Sequence, residues 1–75
     1  MSAMQALTDA MVNLEEKTVL EEVKRLLANG GKARDILDAL TKGMNIIGEK
    51  YAAGEYFLAE LVMGAEIFKE SMELL

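Results

Sequence analysis

Cysteine, histidine, proline and tryptophan are all absent from this sequence of 75 residues. Without cysteine or histidine the chain itself can form no disulfide bond, no zinc site of the usual kind, and no thiol or imidazole catalytic group. It also has no imidazole to offer to a haem iron or a corrinoid cobalt. Long uncharged runs are missing too, because none approaches the roughly 18 to 20 residues that a membrane span needs.

Basic residues are few, since eight Lys and Arg stand against thirteen Asp and Glu, for a net charge of -5. An acidic chain is repelled by phosphate backbones and by anionic lipid surfaces, so we expect no nucleic acid and no membrane among its partners. The N-terminus lacks the basic and apolar regions of a signal peptide. We therefore expect a cytoplasmic location.

What is present is a composition of 52% hydrophobic and 28% charged residues, typical of a folded chain. A single core of this size seldom supplies more than about 3 to 5 kcal/mol of stability unaided. We therefore expect the remaining apolar surface to pack against a second copy of the chain or against a further domain.

Apolar spacings of three and four residues predict helices throughout, with no competing strand pattern. The predicted helices run from Ser2 to Asn13, from Leu14 to Ala28, from Lys32 to Ala53, and from Tyr56 to the C-terminus. Gly30, Gly31 and Gly54 are predicted to end the second and third helices. Short joints between four helices predict an all-α, up-down four-helix bundle.

Details of these helices give further predictions. Asn13 followed by Glu16 has the form of a helix N-cap with its reciprocal acid, and Glu21 is spaced to pair with Arg25. Gly43 and Gly48, inside the third helix, indicate close helix approach or a slight bend. The positions predicted to face the core are Met4, Leu7, Met11, Leu14, Val19, Leu20, Val23, Leu26, Leu27, Ala33, Ile36, Leu37, Leu40, Met44, Ile47, Tyr51, Leu58, Leu61, Ala65, Phe68, Met72 and Leu75.

Catalytic and metal chemistry find little support in these residues. The acidic residues fall mainly at solvent-facing positions without histidine beside them, which favours a solvated face over a metal site. No histidine or suitably placed lysine is present to activate a serine or threonine. An enzyme using Glu49, Glu55 or Glu60 as an acid or base ranks last, since nothing nearby would orient a substrate.

The unusual feature is a group of three aromatic residues, Tyr51, Tyr56 and Phe57, at the joint of the last two helices. Two interpretations are open. In the first, the joint presents an apolar surface to a partner outside the bundle. In the second, Tyr51, Phe57 and Leu61 close the end of the core.

The same region resembles a known family. Gly43-Met44, Ile47-Gly48, Tyr51, Gly54-Glu55-Tyr56-Phe57-Leu58, Glu60-Leu61 and Ala65-Glu66 occur in the order and spacing of the helical cap module that precedes the cobalamin-binding domain in methionine synthase and in small corrinoid proteins of methyltransferase systems. The resemblance extends from about Leu7 to Met72. One departure is Ala59, where the family usually has proline, and alanine is compatible with the same helix start.

The resemblance implies a four-helix bundle that sits over the upper, methyl-carrying face of a corrinoid (cobalamin). A separate Rossmann-like domain supplies the lower-face histidine in that family. Carried over by position, the cofactor contacts are Tyr51, Leu58 and Leu61, with Phe57 and Met44 as weaker candidates and Ile47 as a further supporting residue. No catalytic residue and no metal ligand is implied.

We therefore expect a single cap domain over residues 1–75 that is not an enzyme by itself. Its implied partners are the cobalamin-binding domain of the same parent protein and methyltransferase proteins, for which the cap moves aside. The cobalamin-binding domain, with its Asp-x-His-x-x-Gly signature, is absent from this sequence, so we expect an excised or truncated piece of a longer protein. The alternative is a freestanding interaction module that forms homodimers through the apolar surface from Tyr51 to Leu61.

Overall fold

A computed structural model describes residues 2–75 of the chain as four helices. They are α1 (Ala3–Val12), α2 (Glu16–Ala28), α3 (Ala33–Ala52) and α4 (Leu58–Leu74). The predicted all-α four-helix bundle is confirmed, with helix ends that differ only slightly from those expected. Its dimensions are 38 × 24 × 18 Å.

The packing order around the bundle differs from the order along the chain. The most extensive contact joins α1 to α3, followed by the contact of α3 with α4, while α2 packs against α1 and α4. The consecutive helices α2 and α3 make the least contact and therefore lie diagonally across the bundle. Since α4 packs mainly on α3 and α2, its opposite side is left without a neighbouring helix.

A glycine permits the close approach of α1 and α3. A Cβ at Gly43 would lie 2.7 Å from Met11 Cγ and 3.2 Å from the Thr8 carbonyl oxygen, so no larger residue fits without movement. Gly48, by contrast, has open space where its Cβ would be. The predicted close approach therefore holds at Gly43 only. The fully or almost fully buried hydrophobic residues are Leu7, Ala10, Met11, Val19, Val23, Leu26, Ile36, Ala39, Leu40, Ile47 and Ile67.

The joints are built by residues in the left-handed conformation. Gly30 and Gly54 have φ of 84° and 81°, as expected for helix C-caps. Leu14 has the same role after α1, with φ of 59°, and its N–H donates to the Met11 carbonyl at 3.0 Å. A leucine is strained in this region of φ and ψ, whereas glycine is not.

Two local predictions are wrong. Asn13 is the C-cap of α1 and not the N-cap of α2, because the left-handed turn at Leu14 follows it and α2 begins at Glu16 without a side-chain cap. Arg25 pairs with Glu22 instead of Glu21, because its Nε and Nη2 reach both carboxylate oxygens of Glu22, at 3.2 and 2.6 Å. These hydrogen bonds hold the pKa of the Glu22 carboxyl below its ordinary value.

The predicted orientation of α4 is also wrong. Its buried residues are Gly64, Ile67 and Ser71, while several positions predicted to face inward are exposed. A Cβ at Gly64 would lie 2.9 Å from Ile47 Cδ1, so α4 turns its glycine toward α3. Because α4 is apolar on two sides, the spacing alone could not identify the buried one. The exposed positions that were predicted to be in the core are Ala33, Tyr51, Leu58, Ala65, Met72 and Leu75.

Candidate functional site

A tight corner joins α3 to α4. At the end of α3, the Gly54 N–H donates to the Tyr51 carbonyl at 3.1 Å, and the Glu55 N–H donates to the Lys50 carbonyl at 2.9 Å. This pair of bonds, with glycine in the left-handed conformation, is a Schellman motif. At the start of α4, the Phe57 N–H donates to Glu60 Oε1 at 2.8 Å. The backbone on both sides of the corner is therefore fixed by hydrogen bonds.

Large apolar side chains are exposed on this corner. The exposed fractions are 43% for Tyr51, 71% for Phe57, 61% for Leu58 and 53% for Val62. Leu58 and Val62 are four residues apart and share one face of α4. We call these four residues the apolar corner. Exposed apolar groups on a small acidic domain indicate a surface that packs against something else.

The other predicted contact residues lie deeper. Leu61 and Met44 are half-buried and pack against the core, and Ile47 is fully buried. Tyr51, Phe57 and Leu58 are thus the predicted residues that reach the surface. Val62 was not predicted as a site residue, although its position one turn after Leu58 was a usable signal.

Tyr56 faces the opposite way from its neighbour Phe57. Its ring is half-buried against the core, and its hydroxyl donates to the Val12 carbonyl of α1 at 2.8 Å. Lys50 Nζ lies 5.5 Å from the ring centroid and 3.2 Å from Glu55 Oε2. The interpretation that Tyr51, Phe57 and Leu61 close the core is wrong for Tyr51 and Phe57, which are exposed, and holds for Leu61, which packs against the core. Tyr56, which that interpretation did not include, also packs against the core.

The polar groups around the corner are already paired. Glu60 accepts the Phe57 N–H, and Glu55 pairs with Lys50. Within residues 2–75, no three acidic side chains lie close enough together to hold a metal ion. In the same part of the chain, every buried side-chain nitrogen or oxygen has a hydrogen-bond partner. The arrangement therefore offers mainly apolar contact area.

Two further surface features lie away from the corner. An open groove of about 270 Å³ lies between α1 and α3, and it is lined by Ser2, Met4, Gln5, Thr8, Asp35, Asp38, Ala39 and Lys42. Between α2 and α4, hydrogen bonding with Glu16, then desolvation and the charges of Glu16, Glu66 and Glu73, raise the pKa of the Glu70 carboxyl. As for membrane insertion, no helix in residues 2–75 has the length and apolar character to span a bilayer.

Comparison with known proteins gives a consistent result. A family model described as a B12 binding domain matches residues 3–75. Monomethylamine corrinoid proteins 1 and 2 of Methanosarcina barkeri are each 39% identical to this chain over 70 residues, which is 92% of this chain and 32% of theirs. Monomethylamine corrinoid protein 2 of Methanosarcina acetivorans is 33% identical over 72 residues, covering 95% of this chain and 33% of that protein.

The fold agrees with the sequence comparison. The solved structure of the Methanosarcina barkeri monomethylamine corrinoid protein matches this chain with a TM-score of 0.90 at 36% identity. The match covers 97% of this chain and 35% of that one. This chain therefore spans about a third of the length of the relatives that it matches.

Proposed function

The chain belongs to the B12 binding domain family, and on that premise we propose that it is the helical cap of a corrinoid protein in a methyl-transfer system. In this proposal the apolar corner lies over the upper face of the corrin ring. The partners are a cobalamin-binding domain of the same parent protein and a methyltransferase, in the cytoplasm. The proposal is supported by the similarity to monomethylamine corrinoid proteins over nearly the whole chain.

The observation that carries the proposal is the exposure of the apolar corner. Phe57, Leu58 and Val62 are all more than half exposed, which disfavours a role in this bundle's own core. Such side chains fit a flat apolar ring and a methyl group, which need contact area and no hydrogen bonds. Cobalt ligation does not fit, because the chain has no histidine. A cobalamin-binding domain would therefore have to supply any histidine ligand for the cobalt.

The role of the residues is physical. A bound corrinoid supplies the cobalt that carries the methyl group. Leu58 and Phe57 exclude water from that face, and Tyr51 adds its ring on the other side of the Gly54 turn. Because Glu55 and Glu60 are engaged in local hydrogen bonds, this chain moves no proton at the corner. It is a non-catalytic lid, and its small apolar interface separates when the methyltransferase needs access.

Photolysis of methylcobalamin tests this role in the protein that joins this chain to its cobalamin-binding domain. Truncation of Leu58 or Tyr51 to alanine opens the cover, so the rate of photolysis in the loaded protein should rise. Met63→Ala is the matched control, since Met63 is 50% exposed on α4 but lies about 140° around the helix from Leu58. An unchanged rate in both Leu58→Ala and Tyr51→Ala would remove these residues from the lid.

A second candidate function is homodimerisation, favoured by apolar exposure beyond the corner. Met72 and Leu75, at the far end of α4, are 40% and 38% exposed. In this case the outer side of α4 packs against a second copy of the chain and meets no corrinoid. Sedimentation velocity of the 75-residue chain should then show dimers that Val62→Glu dissociates. A chain that stays monomeric as its concentration is raised contradicts this candidate.

A further inference from the structure

The end of α1 leaves one carbonyl that its own helix cannot satisfy. The last carbonyls of a helix have no intrahelical donor. The Leu14 and Glu15 N–H groups turn back to Met11 and Ala10, at 3.0 Å each. Val12, the last residue of α1, receives instead the Tyr56 hydroxyl at 2.8 Å, from 44 positions further along the chain. Tyr56, in the segment between α3 and α4, therefore caps the C-terminal end of α1.

The backbone and the ring of Tyr56 are also held by contacts, both with Lys50. Its backbone N–H donates to the Lys50 carbonyl at 3.1 Å, which is part of the C-terminal cap of α3. Lys50 Nζ lies over its ring at 5.5 Å from the centroid, in the range of a cation–π contact. The side chain thus connects the end of α1, the end of α3 and the segment that leads into α4.

The residues that follow Tyr56 belong to the apolar corner. Phe57 and Leu58 are its most exposed members. Phe57 has extended backbone before α4 begins, with φ of -98° and ψ of 178°. It lies between the anchored Tyr56 and the first turn of α4, where Glu60 accepts the Phe57 N–H at 2.8 Å. Leu58 is only two residues after the anchored Tyr56 in the chain.

We propose that Tyr56 is a positioning residue for the apolar corner, in which its hydroxyl, bonded to the Val12 carbonyl, fixes where Phe57 and Leu58 project. Tyr56 acts through these two neighbours and does not touch the cofactor itself. This inference rests on the proposed cap function for its biological meaning. The positioning can nonetheless be measured in the 75-residue chain without any corrinoid.

Amide hydrogen exchange of the Tyr56→Phe chain tests the positioning. The variant keeps the ring and loses one hydroxyl, so exchange of the hydrogen-bonded Phe57 and Leu61 amides should quicken by about two- to tenfold, the range set by one neutral hydrogen bond. The amides that follow α2, such as Gly31, should keep their rates. Equal acceleration in all four helices would mean a general stability role and would overturn the proposal, as would no change at the corner.

Thr8→Val is the matched control. The Thr8 hydroxyl also donates to a backbone carbonyl of another helix, that of Ala39 at 2.9 Å, but on the contact of α1 with α3. In this variant, exchange of the Phe57 and Leu61 amides should not be selectively accelerated relative to other amides. Selective acceleration at the corner in Thr8→Val would show that loss of any cross-helix bond loosens it, and would overturn the assignment to Tyr56.

A double-mutant cycle in the loaded two-domain protein links the positioning to the cap. If Tyr56 acts through Leu58, Tyr56→Phe should accelerate methylcobalamin photolysis less in the Leu58→Ala background than in the parent. Additive effects would contradict the inference. Failure of the cap function gives a different result. The photolysis rate would then be unchanged in Leu58→Ala, while amide exchange at the corner would still quicken in Tyr56→Phe.

Discussion

Helices α2 and α4 differ in how their apolar residues are divided between the buried side and the exposed side. In α2 the buried residues Val19, Val23 and Leu26 form one stripe, and charged residues fill most of the opposite side. In α4 the buried stripe is Gly64, Ile67 and Ser71, and the opposite side carries exposed apolar residues. The orientation of α2 is decided by its own pattern, whereas that of α4 is decided by its neighbours.

The difference shows where the chain has apolar surface that its own bundle does not bury. A helix that needs only the bundle buries its apolar stripe and exposes charge, as α2 does. A helix with two apolar sides can bury only one of them in its own bundle. In α4 the side that stays exposed begins at Leu58 and Val62 in the apolar corner. Gly64 lets the other side approach α3 closely, because a Cβ there would lie 2.9 Å from Ile47 Cδ1, and Ile67 and Ser71 are buried on that same side.

The largest expected effect separates the two sides of α4. Ile67→Ala should lower the free energy of unfolding by about 2 to 5 kcal/mol, because Ile67 is fully buried and truncation leaves a cavity. Leu58→Ala should change it by only about 0.5 kcal/mol, as expected for an exposed position. Chemical denaturation followed by circular dichroism measures both. Equal losses in the two variants would refute the assignment of inner and outer sides.

A smaller effect tests the same idea on α3, which carries one glycine against a helix and one in open space. Gly43→Ala places a methyl group 2.8 Å from Met11 Cβ, so α1 and α3 must separate, at a cost of about 1 to 3 kcal/mol. Gly48→Ala meets nothing within 4 Å and should stabilise the chain by up to about 1 kcal/mol. If both variants stabilise, the approach of α1 to α3 is looser than described.

The contrast between α2 and α4 also explains what could be predicted from the sequence. Helix existence, the glycine joints at Gly30 and Gly54 and the four-helix class follow from local spacing and backbone chemistry, and they are confirmed. The orientation of α4 could not be predicted, because a period of 3.6 residues identifies an apolar stripe but cannot choose between two. That choice depends on the fit of Ile47 against Gly64, a contact between residues of different helices.

The candidate site was predictable to a similar extent. Tyr51, Phe57 and Leu58 were named as candidate contacts through a family resemblance. The helical spacing predicted that Tyr51 and Leu58 face the core, and the structure shows both exposed. Val62 was missed because the resemblance did not include it, although it lies one turn after Leu58 on the same face of α4. The role of Tyr56 could not be foreseen, since it depends on the Val12 carbonyl left free by an unexpected left-handed Leu14. Its contact joins residues that are distant in the chain.

The beginnings of α2 and α4 differ in a way that mutation can measure. Glu60 accepts the Phe57 N–H at 2.8 Å, whereas Glu15 makes no side-chain cap to α2. Glu60→Ala should therefore cost about 0.5 to 1 kcal/mol of unfolding free energy, and Glu15→Ala less than about 0.5 kcal/mol. Thermal unfolding of both variants under one condition checks the order. A greater loss in Glu15→Ala would mean that Glu15 stabilises the beginning of α2 more than Glu60 stabilises the beginning of α4.

The smallest expected effect lies where α2 and α4 meet through like charges. Glu16 of α2, with desolvation and the charges of Glu66 and Glu73, raises the pKa of Glu70 above its ordinary 4.5. The folded chain thus holds this proton more tightly than the unfolded chain does. This group's contribution to the free energy of unfolding therefore increases as pH falls through the raised pKa, and levels off below 4.5.

Glu70→Gln removes this titration. The variant should be slightly more stable than the parent at neutral pH, and its advantage should vanish as pH falls to the ordinary value of 4.5. Added salt should reduce the advantage, since the carboxylates are solvent-exposed. Glu21→Gln, which removes the same charge from an exposed position of α2, is the control for the change in net charge. An advantage of Glu70→Gln that is equal at every pH would show that α2 and α4 do not repel each other through this pair.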